Sequence, residues 1–126
     1  MIFLQNLFSV IVFAFIVCFF TAWAQKSASI CEHAQFELRC DVGETIVITG
    51  GNYFSKQTSC FAWRNCKGRN VTSELTKYCN GKQICVVGGV SWMNTVFKDP
   101  CPMVNKQLDV YYDCIINNAT TTSLPQ

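Results

Sequence analysis

Cys79-Asn80-Gly81-Lys82-Gln83-Ile84-Cys85 is the stretch on which the reading of this chain turns. Its two cysteines bracket Asn80-Gly81, a pair that favours a tight turn. Ile84 to Val87 then runs apolar up to Gly88-Gly89, which predicts a short strand. Working outward, further cysteines stand at 31, 40, 60, 66, 101 and 114, so the eight are spread over almost everything beyond residue 30. No Cys-x-x-Cys occurs and His33 is the only histidine, which removes the ligand spacing of a structural zinc site. Four disulfides in an oxidising compartment are the expectation, with their pairing open at this point.

A ninth cysteine, Cys18, sits in a different kind of sequence. Met1 to Ala24 carries no charge, and Leu7 to Phe20 is broken only by Ser9. Ala22-Trp23-Ala24 places small residues where a signal peptidase needs them, predicting cleavage before Gln25. The stretch lacks the usual leading Lys or Arg, and a signal anchor is the rival reading because it is long enough to span a bilayer. The chain is 50 % hydrophobic, but much of that lies in this leader, and the remainder has only a modest core that disulfides must supplement. The expected organisation is a signal peptide over 1–24, a short N-terminal segment over 25–30, one domain over 31–114 and a flexible tail over 115–126. The mature chain is expected to be secreted and to hold no membrane span. Asn70-Val71-Thr72 and Asn118-Ala119-Thr120 are N-glycosylation acceptors at Asn70 and Asn118.

Within the domain, Gln35 to Arg39 alternates polar and apolar as a half-buried strand does. Thr45 to Thr49 is a β-branched run that should turn sharply at Gly50-Gly51. Leu108, Val110 and Tyr112 share one face of a further strand. Val71, Leu75 and Tyr78 are spaced as on a short helix that Asn70 caps, and Gly88 to Pro102 fits no period and reads as a long ordered loop. The net charge of +2 is too small and scattered for nucleic acid. There is no Gly-x-Ser-x-Gly, no recognisable pair of acids and no phosphate loop, so neither an enzyme nor a cofactor is expected. Aromatic residues gathered outside the strands, among them Tyr53, Trp63 and Phe97, suit sugars, whose C–H faces stack on rings.

The cysteines and their neighbours together resemble one family. Cys31-Glu32, Glu37-Leu38-Arg39-Cys40, Asn52-Tyr53, the stretch from Cys79 to Cys85, Val96-Phe97-Lys98-Asp99-Pro100-Cys101-Pro102, and Lys106 through Cys114 are similar to the rhamnose-binding (sea-urchin-egg, galactose-binding) lectin domain also found in latrophilins. The resemblance implies a small, disulfide-rich α/β domain with an antiparallel sheet, short helices and long structured loops. It also implies the pairs Cys31–Cys60, Cys40–Cys114, Cys66–Cys101 and Cys79–Cys85.

Carried over residue by residue, the resemblance implies that Glu32, Tyr53, Asp99 and Lys106 bind a galactose- or rhamnose-like carbohydrate, free or on a glycoprotein, without metal. Glu32 would accept from sugar hydroxyls, Lys106 would donate to them, Tyr53 would stack on the ring, and Asp99 would orient the Lys106 loop. Plainer readings of the same residues are a solvated acid, a solvated lysine, a packed ring and a loop cap. Two departures stand out: the family's Tyr-Gly-Arg is Tyr53-Phe54-Ser55 here, and Met103 replaces a Gly whose backbone approaches the ligand, bringing a side chain toward the pocket. These apolar exchanges point to the alternative, the same fold used to bind an extracellular protein.

Overall fold

The computed structural model describes residues 2–19 and 24–117. In chain order the elements are α1 (Ile2–Phe19), β1 (Lys26–Cys31), β2 (Gln35–Arg39), β3 (Glu44–Ser55), β4 (Cys66–Asn70), α2 (Thr72–Cys79), β5 (Ile84–Gly88), α3 (Val90–Phe97) and β6 (Gln107–Ile116). A four-stranded antiparallel sheet has the order β1-β6-β3-β4, and β2 pairs with β5 in a two-stranded antiparallel ribbon. The fold is a small, disulfide-rich α/β domain, with cross-links Cys31–Cys60, Cys40–Cys114, Cys66–Cys101 and Cys79–Cys85. No helix among the described residues is long and apolar enough to cross a membrane. The leader's junction at 20–23, the Asn118 acceptor and most of the expected tail lie outside the described residues.

One irregularity in β3 sets the interior. Ile48 pairs with Tyr112 but Gly50 pairs with Tyr111, so β3 carries one extra residue there. Side chains alternate faces along a strand, and an inserted residue reverses the parity beyond it. Ile46 and Ile48 face inward before the bulge, and Gly51, Tyr53 and Ser55 are the buried residues after it. An unbulged β3 would turn Tyr53 out of the core. The Gly50-Gly51 pair therefore does not end the strand as its composition suggests; it bends it. Gly51 is also where α2 comes closest, since a Cβ there would collide with Leu75.

The core joins both sheets and two helices: Ile30, Leu38, Ile46, Ile48, Val71, Leu75, Val87, Met93, Phe97, Leu108, Val110 and Tyr112 form one cluster. Leu108, Val110 and Tyr112 are all buried, as their spacing predicts. On β2 only Leu38 is; Phe36 stays 46 % exposed. α2 buries Leu75 and Cys79, while Tyr78 lies at the surface. Asn70 Oδ1 accepts from Thr72 N at 3.0 Å, just ahead of the helix rather than as its formal cap.

Three stretches differ from the expectation, and a fourth, 66–70, forms a strand that no pattern announces. The loop expected over Gly88 to Pro102 contains α3, which buries Met93 and Phe97 one turn apart. Segment 25–30 is largely strand β1, whose partner is β6, and β6 runs to Ile116, two residues into the expected tail. β4 has no apolar residue besides Cys66 and forms by pairing with the edge of β3.

β1 begins opposite Tyr112 and ends opposite Gln107. The start of β1 and the end of β6 thus share one pole of the sheet. The other pole gathers the end of β1, the start of β6, the end of β3 and the start of β4.

Of the seven glycines, Gly88 leaves the least room for a side chain. Its φ is +120°, which L side chains rarely adopt, and a Cβ would collide with the carbonyl oxygen of Ala34. Gly88→Ala is expected to lower stability by roughly 2–3 kcal/mol in chemical denaturation with disulfides intact. A loss below about 0.5 kcal/mol would show that the β2–β5 ribbon yields there.

Candidate functional site

At the second pole a lysine is buried among acceptors. Lys106 precedes β6, and its side chain runs inward until it is 2 % exposed. Its ammonium donates to Val104 O at 2.7 Å and Cys101 O at 3.2 Å, and lies 3.2 Å from Glu32 Oε2 and 3.1 Å from Asp99 Oδ1. Four oxygens surround a group with three protons, so the loop carbonyls and the two carboxylates share it.

Each partner is placed by its local structure. Glu32 leaves the end of β1 in a turn closed by Ala34 N to Cys31 O at 2.9 Å, and its own N–H bonds Lys106 O at 3.0 Å. Backbone pairing thus brings Glu32 and Lys106 together before their side chains meet. Asp99 Oδ1 also accepts from Cys101 N at 2.8 Å, so this carboxylate caps its loop and faces the lysine at once. Tyr53, turned inward by the β3 bulge, is fully buried and packs on Phe97 with ring centroids 5.4 Å apart. Its hydroxyl donates to Glu32 Oε2 at 2.8 Å. Burial, then the Glu32 carboxylate, push that phenol well above its ordinary pKa, so it stays a donor.

All four residues named from the sequence therefore meet at one place. Glu32 is buried at 4 % exposure rather than solvated, and so is Lys106. The Tyr53 ring is packed and offers no open face, so its reach to the site is through its hydroxyl. Met103 stands 94 % exposed with φ +65°, in solvent rather than in a pocket. Ser55, another of the exchanged positions, is buried and donates to Arg64 O at 2.9 Å, tying down the loop that follows β3.

No pattern in the sequence singles out Asn94, whose side-chain oxygen lies 3.0 Å from the Tyr53 hydroxyl. With its proton already given to Glu32, that hydroxyl can only accept from Asn94, which the opposite amide orientation supplies. Asn94 sits on α3, and placing it required recognising that helix. His33, 60 % exposed on its side chain, stands at the rim with Nε2 3.1 Å from Asn105 Oδ1 and 3.9 Å from Glu32 Oε1.

The chemical capacity follows from which oxygens are spent. Glu32 Oε2 and Asp99 Oδ1 are held by protein donors. Glu32 Oε1 and Asp99 Oδ2 carry no hydrogen bond among the described residues, leaving two fixed, charged acceptors on carboxylates locked to one ammonium. Such a pair receives neutral O–H donors strongly. Among the described residues the one grouping of metal-type donors is Cys40, Glu44 and Cys114, and its cysteines are bonded to each other. A separate hollow of about 520 Å³, lined by Lys26, Asp41, Glu44 and Asp113 among others, lies at the opposite pole.

Comparison with known proteins gives concordant likenesses. Residues 38–114 match the model of the D-galactoside/L-rhamnose binding SUEL lectin domain. The L-rhamnose-binding lectin SML of Scomberomorus niphonius is 33 % identical over 93 residues, 67 % of this chain and 44 % of that protein. The D-galactoside-specific lectin of Heliocidaris crassispina is 32 % identical over 97 residues, 71 % of this chain and 90 % of that protein. Latrophilin-like protein 1 of Caenorhabditis elegans is 35 % identical over 99 residues, 71 % of this chain but only 10 % of its own length. The chain thus spans less than half of some relatives and nearly all of another.

Proposed function

The chain belongs to the D-galactoside/L-rhamnose binding SUEL lectin family, and from that premise we propose that it is a secreted, metal-independent lectin for a galactose- or rhamnose-like sugar, with Glu32, Asp99 and Lys106 as its binding site. The observation that carries this reading is the pair of carboxylates that share Lys106 and each keep one oxygen free. Adjacent ring hydroxyls are the ligand groups that suit them. Tyr53 and Asn94 contribute by fixing Glu32 rather than by stacking on sugar. Nothing in this chemistry turns a substrate over, and no metal is required to orient hydroxyls that two anions already orient. Asn70 is exposed at the end of β4 and is proposed to carry an N-glycan.

A glycan array on the purified chain tests the reading. Retention of glycans ending in galactose or rhamnose is expected, unchanged by a chelator. Glu32→Gln and Asp99→Asn should each weaken binding about tenfold, since a charged acceptor becomes a neutral one. A wild-type chain that retains no sugar at millimolar concentration would overturn the proposal in favour of an extracellular protein-binding module. Undiminished sugar binding in both variants would move the site elsewhere.

A further inference from the structure

The same pole carries side chains that the proposed site does not use. Phe61 is 95 % exposed, Trp63 64 % and Met103 94 %. They lie in loops 56–65 and 98–106, which the Cys66–Cys101 bond and the strand ends hold side by side. Trp63 Nε1 donates to Met103 O at 3.4 Å, and Met103 lies in the chain between Cys101 and Val104, whose carbonyls hold Lys106. This apolar group therefore borders the loop that holds Lys106, and Cys101 touches both Arg64 and the Lys106 ammonium.

Arg64 adds charge to it. The guanidinium lies 4.8 Å from the Trp63 ring centroid and its Nη2 is 3.7 Å from Cys101 Sγ. Among the described residues no carboxylate is within ion-pair distance of it. Residues 56–67 contain Lys56, Arg64 and Lys67 and no acid, in a chain whose net charge is only +2. A stacked, unpaired guanidinium presents a planar fork that matches a carboxylate or a sulfate.

Backbone geometry points to the same loops. Thr58, Cys60, Phe61, Lys98 and Met103 are the non-glycine residues with positive φ among the described residues, and every one lies in these two segments. Such conformations cost about 1 kcal/mol or more each. They are held by Cys31–Cys60 and Cys66–Cys101, by Ser55 Oγ to Arg64 O, and by Gln57 N to Asn65 Oδ1 at 2.7 Å. A surface fixed in advance loses little freedom when a ligand arrives.

We propose that Trp63 and Arg64, with Met103 beside them, form a second subsite for an acidic residue of an oligosaccharide whose terminal neutral residue is held by Glu32, Asp99 and Lys106. The inference rests on the carbohydrate reading above and deepens it by naming an anionic glycan as the ligand class. Trp63 stacks on the C–H face of the second ring, and Arg64 binds its carboxylate or sulfate.

The test is titration of the whole chain with methyl galactoside, methyl rhamnoside, and disaccharides ending in either sugar. Each disaccharide is supplied neutral, sulfated and carboxylated on its second residue. At least one acidic form should bind about tenfold more tightly than its neutral counterpart. The advantage should shrink at high salt and vanish in Arg64→Gln, with monosaccharide affinity unchanged. Trp63→Ala should weaken every disaccharide while Trp63→Phe keeps them, and the sulfate and carboxylate arms identify the acid. Equal affinity for neutral and acidic forms, with monosaccharide still bound, would overturn the subsite and leave the primary site standing. Acidic binding that persists in Glu32→Gln at full strength, or an acidic peptide bound as tightly, would overturn it as general anion attraction. Failure of every sugar would remove both readings together.

Discussion

Lys106→Met is expected to cost about 3–5 kcal/mol of stability, because it leaves two carboxylates facing each other at a largely buried site without their shared cation. Glu32 is 4 % exposed and cannot recover its hydration by a small movement, whereas Asp99 can, since its side chain is 23 % exposed. The loop carbonyls of Cys101 and Val104 lose their donor as well. Glu32→Gln alone should cost much less, about 1–2 kcal/mol, since the amide still accepts from Tyr53 and Lys106 keeps Asp99. The double variant Glu32→Gln/Lys106→Met should therefore be clearly more stable than the sum of the two losses predicts, which a double-mutant cycle reads directly. Strict additivity, or a Lys106→Met chain within 1 kcal/mol of wild type, would mean that the ion pair contributes nothing to the fold. Because Lys106 holds the fold together as well as belonging to the proposed sugar site, sugar binding lost in its variants is uninformative alone; Glu32→Gln and Asp99→Asn separate the two roles.

The second large effect concerns the cross-links. Cys40–Cys114 closes a loop with a sequence separation of 74, against 6 for Cys79–Cys85. In the chain-entropy account, removing the first costs about 4–5 kcal/mol and removing the second about 2 kcal/mol. Cys40→Ala/Cys114→Ala should thus consume most of the stability of a domain this small, and Cys79→Ala/Cys85→Ala should leave a folded protein. Urea denaturation of both pairs gives the order. Equal losses, or the reverse order, would place the stabilisation in the folded state rather than in the restricted unfolded chain.

How far the sequence reached depended on whether a segment's reason for its shape was local. Gln35 to Arg39 and Leu108 to Tyr112 announce themselves by alternation, and both are strands in the structure. β4, Cys-Lys-Gly-Arg-Asn, has no such pattern, since it exists only because the edge of β3 offers it partners. α3 has Gly89 at its N-cap and no side-chain cap, and its eight residues are rich in β-branched and aromatic types, so neither a start signal nor propensity marks it. Its Met93 and Phe97 do stand four apart, a helical signal too short to be decisive by itself. The site divides the same way. Glu32 and Asp99 lie beside or near cysteines whose spacing carries the family resemblance, and they were legible. The burial of Lys106, the inward turn of Tyr53 and the approach of Asn94 each depend on a bulge or a crossing that one dimension does not contain.

The pairing of β1 with β6 fixes more than a ladder. Lys26 stands opposite Tyr112, and Cys31 opposite Gln107. Polypeptide joined ahead of β1 or beyond β6 therefore departs from the pole remote from Glu32 and Lys106, roughly 17 Å away along the strands. A surface, a tag or a neighbouring module attached through either end would hold the domain by its base and leave the proposed sugar site pointing outward. For immobilisation in a binding assay, the two ends are interchangeable handles.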